Sequence, residues 1–76
     1  MNKERRANLK GISEQISELQ SNLETLMDEE QEYYDNMPEG IQNGEKGDKV
    51  QEAISNIQSA MDSLVEATNS IEEATN

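Results

Sequence analysis

Apolar residues in the first half of the chain fall at Leu9, Ile12, Ile16, Leu19, Leu23 and Leu26, in steps of 3, 4, 3, 4 and 3. The same stepping reaches Glu30, Tyr33 and Met37. Alternating threes and fours keep one stripe of a helix turned in one direction. The segment therefore reads as a heptad seam, with Leu9, Ile16, Leu23, Glu30 and Met37 at a and Ile12, Leu19, Leu26 and Tyr33 at d. The period-two alternation of a half-buried strand is missing. Gly11 is the one weak helix former inside, ~1 kcal/mol worse than Ala. The pattern predicts one long helix over residues 3–36.

Pro38 lacks an amide hydrogen and disfavours helical geometry at Met37, so the helix must stop there. Gly40, Asn43, Gly44 and Gly47 then supply turn-forming residues, and the turn is placed at 37–44. The second half resumes the seam at Val50, Ile54, Ile57, Met61 and Leu64, extended by Thr68 and Ile71. Ala53, Ala60, Ala67 and Ala74 recur at every seventh position beside it, which makes one edge of this helix shallow. Asn43 or Gly44 would cap an early start, and Asp48 with Gln51 a later one. The second helix is expected over 45–74.

Two helices of similar length and a short connection predict an all-α antiparallel hairpin. Pairing residues whose numbers sum to about 80 sets Leu9 by Ile71, Ile16 by Leu64, Leu23 by Ile57 and Glu30 by Val50. It also sets Ile12 by Thr68, Leu19 by Met61, Leu26 by Ile54 and the Tyr33 ring over Gly47. A sum of about 87 lengthens the loop and strands Leu9, so the first register is preferred. A lone hairpin of this size has little apolar surface to bury. A second copy completing a four-helix bundle is therefore the simplest expectation, with a partner protein as the other, docked on an edge of Met27, Ala53, Ala60, Val65 and Ala67.

Composition narrows the chemistry. Seventeen acidic residues face six basic ones, a net of −11, and Cys and His are absent. Thiol, disulfide and imidazole chemistry are excluded, and no nucleophile–base pair, metal site or cofactor motif can be named, so the chain reads as a non-enzyme. No apolar run approaches the ~20 residues of a membrane span, nor does one follow the basic start Lys3-Glu4-Arg5-Arg6 as in a secretory signal. The expectation is a cytoplasmic protein without a membrane partner. The charge is also uneven. Residues 1–10 carry +3 and residues 11–76 carry −14, a surface that repels nucleic acid and attracts basic protein surfaces.

The segment from Asp28 to Asp35 concentrates this charge in the last turns of the first helix, where the macrodipole favours cations. Each carboxylate there costs ~0.3–1 kcal/mol at low salt. An arrangement that opposes stability without local compensation is read as a binding surface of Asp28, Glu29, Glu32, Asp35 and Glu39, anchored by Tyr34 at an exposed e position. Solvation of a marginal helix is the competing explanation for the acids, and packing over Met37, Pro38 or Ile41 for Tyr34. Glu30 in the seam implies an opened seam, a contact from Lys49 or a cation from a partner. On an expected length of ~45 Å, the −14 amounts to about one charge per 3 Å, close to the ~3.4 Å of one DNA strand.

At the bend, Tyr34-Asp35-Asn36-Met37-Pro38-Glu39, Gly44-Glu45-Lys46-Gly47-Asp48 and Glu52-Ala53-Ile54 together resemble a group of short acidic helical proteins from phages and mobile elements of Gram-positive bacteria. The resemblance spans residues 28–57 and implies a bacterial cytoplasmic setting rather than an activity. Gly40 and Gly44 depart from the Asn and Ser of that pattern. With the charge, it points to a protein that occupies a basic surface on a host protein, such as the nucleic-acid channel of a defence or replication enzyme. The alternative is an assembly factor whose alanine edge docks a partner helix.

Overall fold

A computed structural model describes residues 1–76 as α1 (Lys3–Asp35), a single-turn α2 (Glu39–Gln42) and α3 (Glu45–Thr75). The two long helices pack antiparallel as a helical hairpin. The expected ends are met within one residue: α1 stops at Asp35 instead of residue 36, and α3 starts at Glu45 and runs to Thr75. Inside the expected turn the chain makes one helical turn. Pro38 opens it in extended geometry (φ −57°, ψ 145°), and its carbonyl accepts from the amides of Ile41 and Gln42 at 2.9 and 3.0 Å.

Both ends of α1 are closed by a specific side chain. Asn2 caps α1, its Oδ1 accepting from the Arg5 amide at 2.8 Å. That satisfies one of the four amides a helix start leaves without a partner. At the other end the Gln42 Nε2 donates to the Tyr34 carbonyl at 2.8 Å, so α2 places a side chain over the last turn of α1. Gly44 precedes α3 in extended geometry (φ −99°, ψ −171°) and offers no side-chain cap. Of the two cap sites expected there, the chain uses the early one.

The hairpin is thin, with Cα extents of 58 × 15 × 12 Å. Only Gly47 and Val50 are buried, both at the bend. Elsewhere the seam is half-buried: Leu9, Ile16, Leu23 and Glu30 on α1 against Ile54, Ile57, Met61, Leu64, Thr68 and Ile71 on α3. The second row of α1 differs from the expected one. Ser13, Gln20, Met27 and Tyr34 turn inward, while the d residues Ile12, Leu19, Leu26 and Tyr33 stay outside at 45, 53, 52 and 46% exposure. Relative to an a/d seam, α1 is rotated so that a and e face α3.

Bonds at the bend accompany this rotation. Tyr34 is held from two sides, its carbonyl by Gln42 and its hydroxyl by Gln51 Nε2 at 2.9 Å. The place beside Gly47, expected for the Tyr33 ring, is filled by the Gln42 backbone. A Cβ on Gly47 would stand 2.7 Å from the Gln42 Cα and closer still to its carbonyl. The register is the short-loop one: Lys46 lies by Tyr33, and Ser13 shares a groove with Thr68, both pairs summing to about 80.

Candidate functional site

The acids at the bend stand on the outer surface of α1. Asp28, Glu32 and Asp35 follow one another at steps of four and three, which puts them on one exposed face, with Glu29 beside them and Glu39 in the first turn of α2. None takes part in an ion pair. The one salt bridge of the chain joins Lys49 to Glu45 at 3.5 Å, between exposed side chains on α3. Asp35 accepts from Gln31 Nε2 at 3.0 Å, and the last turn of α1 holds no basic residue. Four of the five carboxylates thus lack any intramolecular hydrogen-bond or ionic partner, and Glu32 and Asp35 stand in the last turn of α1, where the helix dipole disfavours negative charge.

The two tyrosines exchange their expected places. Tyr34 turns into the hairpin and is tied by Gln42 and Gln51, so it does not stand among the acids as an anchor. Tyr33 is the exposed ring, one turn from Glu29, and the Lys46 ammonium lies 5.5 Å from its centroid. Tyr33 raises the Lys46 pKa above the ordinary lysine value, through hydrogen bonding first and charge attraction second. An ammonium over a ring is held by the negative π face. The sequence signal for this pair was the spacing itself, since residues 33 and 46 meet in the short-loop register. Glu30 is half-buried, and Lys49 is engaged with Glu45 rather than reaching it.

The edge expected to dock a second helix is also divided. Ala53, Ala60 and Ala67 form a row on α3, with Ala60 exposed. Met27 is turned into the seam, and Val65, 45% exposed, sits about 150° around α3 from the alanines. At the open end, on the flank away from the alanines, Arg6, Lys10, Ser13, Glu14, Thr68 and Glu72 line an open groove of about 490 Å³. Its charges are mixed, and the enclosed Ser13 hydroxyl has no hydrogen-bond partner.

Over the 58 Å of the whole chain its net −11 amounts to about one charge per 5 Å, sparser than expected from a shorter hairpin and sparser than a DNA strand. No three His, Cys, Asp or Glu side chains converge as a metal site, and no helix is long and apolar enough to cross a membrane. No family model, curated protein or solved structure matches this chain.

Proposed function

We propose that the chain is a small acidic interaction module that binds a basic surface on another protein and thereby inhibits or modulates it. The observation that carries this reading is the exposed group Asp28, Glu29 and Glu32 on the last two turns of α1 with Glu39 at the start of α2, all left without intramolecular partners. Carboxylates already presented on a helix need little ordering to meet Lys or Arg, and charge of one sign steers the encounter. In the phage or mobile-element setting that the bend motif suggests, the partner is a bacterial cytoplasmic host protein. A nucleic-acid-binding channel of a defence or replication enzyme is the narrower case. The spacing of charges favours recognition of scattered basic side chains over imitation of a phosphate backbone.

The test is capture from host lysate at graded salt, comparing the wild-type chain with a variant carrying Asp28→Asn, Glu32→Gln and Glu39→Gln. A basic protein retained at low salt, released by salt and lost with the variant supports the reading. Equal retention by both chains refutes it.

A second reading, an assembly factor docking a partner's helix, draws on the outward row of Ile12, Leu19 and Leu26 beside the alanines. Leu19→Glu, which leaves the acids untouched, separates the two by which variant loses the captured protein.

A further inference from the structure

Rows on the two helices can be followed at intervals of seven. On α1 the outward d row is Arg5, Ile12, Leu19, Leu26 and Tyr33; on α3 the alanine row is Lys46, Ala53, Ala60, Ala67 and Ala74. In an antiparallel pair with the observed seam, these rows flank the same side of the hairpin. The Lys46–Tyr33 contact joins one row to the other directly. The opposite side carries the Tyr34–Gln51 bond and the groove at the open end. One long face therefore presents a large apolar side chain and an alanine at the same height, three times over: Ile12 with Ala67, Leu19 with Ala60, Leu26 with Ala53.

The rim of that face is as distinctive as its centre. Next to the d row on α1 run Asn8, Gln15, Asn22, Glu29 and Asn36, and next to the alanines on α3 run Lys49, Asn56, Ser63 and Ser70. Of the chain's 17 acids, Glu29 alone falls on these four rows. A molecule with a net charge of −11 repels its own copies, and that repulsion is weak along a face whose carboxylates have been cleared.

We infer that this face binds a second copy of the chain, related by a two-fold axis along the hairpin's length. That operation sets α1 of one copy on α3 of the other, antiparallel, with each large side chain over the partner's alanine. Leu26 meets Ala53, Leu19 meets Ala60 and Ile12 meets Ala67, so bulk fills shallowness at every rung. The rims then match in charge. Glu29 of each copy comes level with Lys49 of the other, and the remaining levels pair amides with amides or serines. From residue 12 to residue 33 the face is ~32 Å long, and two helices make it ~20 Å wide, or roughly 600 Å² per copy. The total of about 1,200 Å² reaches the range of specific interfaces. The acids at Asp28, Glu32 and Asp35 stay outside it, free for another partner.

The test needs only the full chain. Sedimentation equilibrium is expected to give twice the 8.6 kDa chain mass. Leu19→Glu with Leu26→Glu should return it to one chain mass at ~100 μM, while Val65→Glu on the opposite flank leaves the dimer intact. Circular dichroism reports whether the double variant stays helical. A second measurement avoids the apolar rows: Glu29→Lys and Lys49→Glu should each weaken association about five-fold, and combining them should restore it. Wild-type chain at monomer mass up to ~1 mM overturns the inference, as does a dimer that survives the paired leucine replacements. So does a charge swap no tighter than its single variants. None of these outcomes bears on whether the outer acids bind a host protein.

Discussion

Gly47 and Gln42 touch backbone to backbone: a methyl group on Gly47 would stand 2.7 Å from the Gln42 Cα, with the Gln42 carbonyl nearer still. Main chain cannot swing aside as a flexible side chain can, so the contact demands glycine for its lack of bulk. Gly47→Ala should destabilise the hairpin by ~1–3 kcal/mol or more, through overpacking at its one buried region. A thermal melt followed by helicity is the check, and a melting point equal to wild type would contradict it.

Gly11 is the opposite case. Nothing lies within 4 Å of a side chain added there, and the residue sits inside α1. Gly11→Ala should stabilise by ~1 kcal/mol, because the helix no longer carries the backbone freedom of glycine. Running both variants in one denaturant series tests whether contact, and not residue type, decides the sign.

Gln42→Ala removes the donor to the Tyr34 carbonyl and loosens the junction between α1 and α2. A loss of ~0.5–1.5 kcal/mol is expected, the net value of one partly buried hydrogen bond. Tyr34→Phe deletes only the exposed bond from Gln51 and should cost less. If the two variants unfold at the same denaturant concentration, the cap carries no special weight.

Glu32→Gln and Asp35→Asn should each stabilise the free protein, by ~0.3–1 kcal/mol at low ionic strength, since both lie in the last turn of α1. The gain should shrink in physiological salt, where screening acts over ~8 Å. Stability and partner affinity then move in opposite directions, which paired melting and binding measurements would register. Retained binding alongside the gain would mean that the acids serve solubility alone.

Much of this architecture was legible in residue spacing. The alternation of threes and fours marks both helices, Pro38 marks the end of the first, and the run of Gly and Asn marks the bend. What spacing does not decide is rotation. Leu9, Ile12, Ile16 and Leu19 form two apolar rows beside one another, and either flank of the a row can close the seam. In the folded chain Tyr34 and its bonds to Gln42 and Gln51 accompany the inward e row, leaving Ile12, Leu19, Leu26 and Tyr33 outside. Those bonds join residues 8 and 17 positions apart, beyond the reach of a heptad count. The acids were legible as a cluster because exposure follows from charge. The expected exposure of Tyr34 beside them is what the same rotation overturns.

Val50 and Gly47, the two residues hidden from solvent, both sit beside the bend, while the far tips of α1 and α3 rest on half-covered contacts. Closing this connection joins chain segments only a few residues apart and costs little loop entropy. The hairpin should accordingly assemble from the bend outward and open from its free ends, like a zip fastened at one end. Amide exchange would record that as a gradient, slowest around residues 47–54 and quickening toward Lys3 and Thr75. A second copy clasped along the full length would flatten the gradient, so the same spectrum taken across concentrations would read out assembly residue by residue.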